Sequence, residues 1–350
     1  MLRTFPAPAE IVKILFVKTS SLGDLIHSMP AISDLQRSRP DIELHWLVEE
    51  GFAAIPQWHP FVKKVFPCAI RRWRHSFFTS STQQDIRCLK QRLLSENYDA
   101  VVDAQGLVKS ALMVRWLCCE RHGYDRNSIR EPLATLAYNQ RYAIPRKQGA
   151  IERVRQLLSS SLGYSLQGLP LQFGLSVSRP ESIPVDLSRP YVIFLHGTNW
   201  ESKIWPVAFW QTLARTLSAQ GFVVYLPWGS ADEQQRAEMI AAGSGASVLP
   251  RLPLAALAYL LQNAARVVGS DTGLTHLAAA LGAITVGIYG STSTQLTGLV
   301  GDRVVNLTSA KECSPCFQRE CPLEKPQGVI PCYETVPPER VLAEMSEEKP

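Results

Sequence analysis

The chain has 350 residues, 46% of them hydrophobic and 19% charged, a globular composition too long for one ordinary core, so two domains are expected. No run of 18 apolar residues occurs, which excludes a membrane-spanning helix, and the opening MLRTFPAPAE lacks the apolar stretch of a secretory signal. The net charge of +5 conceals an asymmetry: residues 1–175 hold 23 Lys/Arg against 15 Asp/Glu, whereas residues 176–350 hold 13 against 16, so the first half is expected to meet a polyanion, be it nucleic acid, membrane surface or acidic ligand.

Short apolar runs alternate with amphipathic stretches along the chain, the pattern of an α/β protein with doubly wound parallel sheets. A strand is predicted over 11–17, then the polar loop Lys18-Thr19-Ser20-Ser21-Leu22-Gly23-Asp24 and a helix over 25–38. A strand over 42–48, a helix near 84–95, a strand over 98–103 and a helix after Gly106 continue the βαβ logic. From about 165 to 190 the periodicity fades, and Pro170, Pro180, Pro184 and Pro190 fall among Ser and Gly. Proline fixes φ and removes a donor, so this stretch reads as a linker. The expected division is a domain over 1–175, a linker over 176–190 and a domain over 191–350. In the latter, strands are predicted over 191–195, 222–226, 267–269 and 284–289, with helices over 206–220, 233–242, 254–264, from about 273, and over 338–345.

Open parallel sheets bind ligands beyond the carboxyl ends of their strands. In the second half, four such ends carry suitable groups: His196-Gly197-Thr198-Asn199 with Lys203 nearby, Pro227-Trp228-Gly229 with Glu233, the run Ser270 to His276, and Gly290-Ser291-Thr292. The run Ser270-Asp271-Thr272-Gly273-Leu274-Thr275-His276 follows a strand and opens a helix. Unpaired N–H groups and the positive end of the helix dipole face outward there, and Gly273 admits a bulky anion. A pyrophosphate suits this place, and so does plain helix capping by Asp271 or Thr272. Lys203 is either a cation for a leaving phosphate or a solvated surface lysine. No GxGxxG follows a strand and no GxxxxGK[ST] occurs, which argues against a dehydrogenase and a P-loop nucleotidase.

In the first half, Asp24 is either a general base on a substrate hydroxyl or a helix cap. Arg71-Arg72-Trp73-Arg74, preceded by Cys68-Ala69-Ile70 and followed by Phe77-Phe78, offers three planar guanidinium forks suited to carboxylate and phosphate. Lys109, Arg130, Arg146 and Lys147 add to the positive field. Nucleic acid is not the expected partner, because no long basic helix or recognised module is present. The eight cysteines do not form a disulfide scaffold and fit a reducing cytoplasm.

Taken together, the motifs VKTSSLGDLIHSMPA (17–31), WLVEEGFAAIPQWHP (46–60), AIRRWR (69–74), NYDAVVDAQGLVKSA (97–111), REPLA (130–134), FLHGT (194–198), LPWGS (226–230) and SDTGLTHLAAALG (270–282) resemble the bacterial lipopolysaccharide heptosyltransferases of glycosyltransferase family 9 over nearly the whole chain. EEGF and RRWR point to the members that act first on the inner core. The resemblance implies two Rossmann-like domains facing a cleft, the GT-B fold, with the acceptor on the N-terminal domain and the nucleotide sugar on the C-terminal one. It implies transfer of L-glycero-D-manno-heptose from ADP-heptose to the first Kdo of Kdo-lipid A, with inversion, by a cytoplasmic enzyme peripheral to the anionic inner-membrane surface.

Carried over by the resemblance, Asp24 is the general base, and Arg71, Arg72, Arg74 and Arg130 contact the acceptor. Thr198, Lys203, Glu233, Asp271, Thr272, Gly273, Leu274 and His276 contact the donor, Lys203 also serving catalysis. No cofactor is required for the chemistry. Cys313, Cys316, Cys321 and Cys332, with one CxxC, are either ligands of a structural zinc or reduced thiols in a loop. Two other readings are a related family member with a different acceptor or nucleotide sugar, and a non-catalytic polyanion-binding protein.

Overall fold

The computed structural model describes residues 12–325 and 328–346, and in it the apolar runs lie as parallel strands in two sheets. The segment read for a secretory signal, and Ile11 at the start of the first predicted strand, lie outside the described residues. By its internal contacts the chain divides between Ser176 and Val177 into two units. The first holds β1 (Val12–Val17), β2 (Ile42–Glu49), β3 (Val62–Cys68), β4 (Ala100–Asp103), β5 (Glu120–Tyr124) and β6 (Gln140–Tyr142), in the order β3-β2-β1-β4-β5-β6. The second holds β7 (Tyr191–Leu195), β8 (Val223–Leu226), β9 (Ser247–Val248), β10 (Arg266–Ser270), β11 (Thr285–Tyr289) and β12 (Val304–Thr308), in the order β12-β11-β10-β7-β8-β9. Counted from its own first strand, each unit has the doubly wound order 3-2-1-4-5-6, and every strand pair is parallel. Parallel strands buried on both faces need continuous apolar sequence, as in β1 and β7, where every residue except Lys13 is buried.

The helix predicted over 25–38 begins earlier and is broken. Ser21 is extended and caps a short helix, Leu22–Ile26, so that Asp24 occupies its first turn rather than the loop before it. A second helix, Met29–Ser38, restarts with Pro30 at its second position. Proline has no N–H to donate and its ring crowds the carbonyl four residues back, which stops one helix and suits the first turn of another. The helix Ala150–Leu162, which sequence reading passed over, buries Ile151, Val154, Leu157, Leu158 and Leu162 and ends at Gly163, whose φ of +71° suits a residue without a Cβ. It packs on Met29–Ser38, where Arg155 Nε meets the fully buried Asp34 carboxylate at 2.6 Å.

Residues 164–190 contain neither helix nor strand. The Ser176 amide bonds to Trp58 O, while Asp186 O accepts from the Tyr225 hydroxyl and Arg189 reaches Gly221 O, so this coil is fastened at both ends. In the second unit the core gathers Phe194, Trp205, Trp210, Val268 and Ile288 with late residues Ile330, Tyr333, Val336, Val341 and Met345. Among the described residues, no helix is long and apolar enough to cross a membrane.

Candidate functional site

A doubly wound sheet opens a crevice where its strand order reverses, beyond the carboxyl ends of the first and fourth strands. In the first unit that place lies past β1 and β4. A cavity of about 250 Å³ is found there, lined by Lys18, Asp24, His27, Gln105, Tyr124, Arg130, Arg146 and Arg153 among others. Gln105 organises its floor: its side-chain oxygen accepts from the amides of Thr19 at 2.7 Å and Ser20 at 3.0 Å, fixing the loop that follows β1. Asp103, fully buried, receives the Tyr138 hydroxyl, the Ser110 hydroxyl and the amides of Gln105 and Gly106, and so holds the loop after β4.

Asp24 turns one carboxylate oxygen inward, where Oδ2 accepts from the Ser21 amide at 2.7 Å and the Ser21 hydroxyl at 2.8 Å. Its other oxygen, Oδ1, lies 3.6 Å from Lys18 Nζ, which is itself held by Ala104 O. The two readings of Asp24 are therefore compatible, since the cap uses one oxygen. Burial works to raise the Asp24 carboxyl, but the Lys18 charge, the Ser21 hydrogen bonds and His27 outweigh it and hold the group below the ordinary carboxylate value.

Of the four arginines assigned to an acceptor, only Arg130 lines this cavity. Arg71, Arg72 and Arg74 occupy or follow the single turn Ile70–Trp73 after β3, at the same edge of the sheet. Arg72 is engaged by Glu50 and Asp85, Arg71 lies over the Phe52 ring at 5.2 Å, and Arg74 contacts His75. In their place the fold supplies Lys18, His27, Arg146 and Arg153. Arg153 stacks over Tyr124 at 4.8 Å and donates to Ser128 O. Gln105 and Lys18 stand at strand ends and were open to the same strand-end argument applied to the second half; Arg153 sits on the unpredicted helix Ala150–Leu162.

In the second unit, the corresponding place lies past β7 and β10, and the structure gathers most of the named donor residues there. Thr272 begins the helix Gly273–Ala280 as an extended cap residue without a side-chain cap bond, leaving first-turn amides without a helical acceptor. Asp271 is not that cap. Its carboxylate is taken up by Lys203 Nζ at 2.7 Å, the Thr292 hydroxyl at 2.6 Å and His276 Nε2 at 3.1 Å. Burial alone raises the Asp271 carboxyl, yet the His276 hydrogen bond and the Lys203 charge hold it far below the usual range. Of the two capping candidates the structure uses Thr272, and Asp271 is instead joined to Lys203, Thr292 and His276. Lys203 also lies 4.7 Å from the Trp200 ring centroid.

The Thr198 hydroxyl accepts from the Trp200 amide, shaping the turn before Lys203. Glu233 is in the first turn of the helix Ala231–Ala241, which begins two residues before the predicted start at 233 and is capped by Ser230. Its Oε2 accepts from the amides of Gly229 at 2.7 Å and Ser230 at 3.3 Å, while Oε1 lies over Gly197. A Cβ on Gly197 would come within 2.5 Å of that oxygen, so the glycine is what lets the carboxylate approach the end of β7.

The cysteine segment docks beside Lys203. Ser202 donates its amide to Arg319 O and its hydroxyl to Gln318 O, its Oγ lies in hydrogen-bond contact with Ser291 Oγ, and Tyr333 donates to Ser202 O. Cys313, Cys316, Cys321 and Cys332 are all free thiols. The first, second and third all push the Cys332 thiol upward, after burial does so, which marks them as neighbours. A tetrahedral thiolate set requires sulfurs about 3.8 Å apart. Among the described residues, no three of these ligand atoms gather within 4.8 Å, so the thiols as placed do not form that set. The group that does meet this spacing, Glu43, His45 and Glu96, stands at the amino ends of the first sheet, where Lys13 and Lys64 already neutralise Glu96.

Comparison with known proteins fits this geometry. The family model described as glycosyltransferase family 9 (heptosyltransferase) matches residues 86–327. Lipopolysaccharide heptosyltransferase 1 of Pseudomonas aeruginosa is 44% identical over 346 residues, covering 95% of this chain and 97% of that protein. The protein of the same name from Escherichia coli K12 is 40% identical over 90% of this chain and 99% of its own length. Among solved structures, E. coli heptosyltransferase WaaC with ADP aligns with a TM-score of 0.78 and 40% identity over 84% of this chain and 92% of that one. The E. coli ADP-heptose lps heptosyltransferase II, at 22% identity and a TM-score of 0.76, shares the fold. The expected fold, two doubly wound α/β units of the GT-B type, is the one found. With the family match spanning more than half its length and close relatives along nearly all of it, the chain belongs to glycosyltransferase family 9 and is a glycosyltransferase.

Proposed function

We propose that this enzyme moves L-glycero-D-manno-heptose from ADP-heptose to the first Kdo of Kdo-lipid A in lipopolysaccharide inner-core synthesis. The observation that carries the reading is the cavity past β1 and β4, where one ionised carboxylate, Asp24, is set among Lys18, Arg130, Arg146 and Arg153. An acidic sugar joined to a phosphorylated lipid is a polyanion that offers a hydroxyl. The cations hold its charges, and Asp24 Oδ1 takes the hydroxyl proton as the oxygen attacks the anomeric carbon.

That oxygen forms its bond to C1 on the face opposite the phosphate, the C1–O bond to ADP breaks, and the configuration inverts. ADP leaves with the bonding pair. Its growing charge is met by Lys203 and by the first-turn amides of Thr272, Gly273 and Leu274, groups placed before the reaction begins. A carboxylate held below its usual pKa is a weak base, which suits a step in which departure of ADP runs ahead and acidifies the attacking hydroxyl. Glu233 Oε1 accepts from the ribose hydroxyls, Thr198 lines the nucleotide side, and His276 keeps Asp271 in place. The cysteine segment braces the Lys203 loop, and every step above is carried by side chains and backbone amides. A measured content near one zinc per chain would instead make Cys313, Cys316, Cys321 and Cys332 a structural metal site.

The test is incubation with ADP-heptose and Kdo-lipid A, followed by mass analysis of the lipid. One added heptose per acceptor is expected. Absence of that product, with turnover of another donor or acceptor, would move the chain to a different activity within the family. Asp24→Asn is expected to lower kcat by about 10²–10⁴ while leaving the KM for ADP-heptose nearly unchanged; near-normal kcat removes the base assignment.

A further inference from the structure

The helix Val108–Val114 turns Ser110, Ala111, Met113 and Val114 inward but leaves Leu112 59% exposed. Residues three apart share a helix face, so Lys109, Leu112 and Arg115 form a stripe that alternates basic, apolar, basic. Packed against this helix is the 3₁₀ helix Pro132–Ala137. Side chains three apart eclipse in that geometry, and Leu133 and Leu136 stand together at 71% and 70% exposure while Ala134, Thr135 and Ala137 are buried. Two short adjoining helices thus spend three leucines on solvent.

The two helices that carry this surface each begin within a few residues of the cavity lining. Gly106, which lines it, precedes the first helix by two residues; Arg130, which also lines it, precedes Leu133 by three. Glu131 between them is tied down, its carboxylate accepting from the Val108 amide at 2.7 Å. The stretch 104–150, which contains both helices, has eight Lys/Arg against three Asp/Glu. Exposed leucines interleaved with cations match the interface of an anionic bilayer, where apolar side chains enter the acyl boundary and cations meet the headgroups.

We infer that the Leu112, Leu133 and Leu136 face, with Lys109 and Arg115, docks the enzyme on an anionic lipid leaflet and so presents the cavity to an acceptor embedded in it. The acceptor part of this statement rests on the function proposed above; the docking part does not.

The experiment uses the full chain and L133S/L136S, two changes on exposed side chains that leave thermal unfolding as it is. Cosedimentation with vesicles of phosphatidylglycerol and phosphatidylethanolamine is expected to show salt-sensitive binding by the native chain, weakened about tenfold or more in the variant. Transfer to Kdo-lipid A held in such vesicles is expected to fall in parallel, whereas transfer to the water-soluble, deacylated acceptor is unchanged. Equal vesicle binding by both proteins overturns the inference. So does a native dimer that the variant splits without loss of vesicle binding, since the face would then belong to a second copy. Failure of the native chain to use either acceptor sinks the proposed activity, while the vesicle measurement still decides the docking.

Discussion

Gly197→Ala tests how the donor site is built. The added methyl would lie 2.5 Å from Glu233 Oε1 and 2.7 Å from its Cδ, so the carboxylate has to swing away from the end of β7. Moving it breaks the bonds from Gly229 and Ser230 that begin the helix Ala231–Ala241. Loss of a helix-start contact of this kind costs about 1–2 kcal/mol. In a unit of this size that lowers Tm by roughly 2–8 °C. On the proposed function, in which Glu233 receives the ribose hydroxyls, the KM for ADP-heptose is expected to rise about tenfold, equivalent to about 1.4 kcal/mol. Calorimetry and initial rates measure the two effects. Glu233→Ala should reproduce most of both, and Gly197→Ala added to Glu233→Ala should add little, because the clash has been removed. An unperturbed single variant, or a double variant that shows the two losses in full sum, would refute the reasoning.

Asp271→Ala leaves Lys203 half-enclosed without its anion and is expected to cost about 3 kcal/mol in urea unfolding together with a raised donor KM; a change in neither denies that Asp271 positions the lysine. Arg130→Ala with Arg153→Ala should raise the acceptor KM more than Arg72→Ala, whose guanidinium is already held by Glu50 and Asp85; the reverse order returns the acceptor to the Arg71 to Arg74 turn. Acid should destabilise both units. Burial lowers His59 and His196 to about 4, so below the ordinary value of 6.5 the unfolded chain binds protons that the folded one refuses. Stability is complete above about pH 6.5 and lost as pH falls toward 4, by about 3 kcal/mol for each histidine. Equal urea midpoints at pH 7.5 and 5 would contradict this.

Sequence reading found the strands whose surroundings demand apolar residues. β1, β2, β4, β7, β8, β10 and β11 are central or nearly so, and all were predicted. The four edge strands, β3, β6, β9 and β12, were not. An edge strand pairs on one side only and tolerates polar or ring-closed residues, as β3 shows with Lys63, Lys64 and Pro67. β5 is internal yet reads Glu-Arg-His-Gly-Tyr, because His122 bonds to the Tyr142 hydroxyl and stacks on its ring instead of needing an apolar neighbour. The groups past β7 and β10 were legible since they follow strands in short motifs. The cations lining the first unit's cavity were only partly so: Arg146 reads as part of a positive field and Arg153 carries no signal, for a cavity assembled from four separate loops leaves no local spacing to read.

The late residues in the second core set an order of events during synthesis. β7 through β12 are complete by residue 308, yet Trp205 donates to Val336 O at 2.9 Å, Tyr333 to Ser202 O at 2.9 Å, and Arg266 to Met345 O at 3.0 Å. While residues 330–345 are still inside the ribosome, the loop bearing Lys203 lacks its brace. The first unit has all its strands and its cavity by residue 176 and can close on the nascent chain. The cavity past β1 and β4 is therefore ready during translation, and the braced Lys203 loop only after residue 345 has emerged.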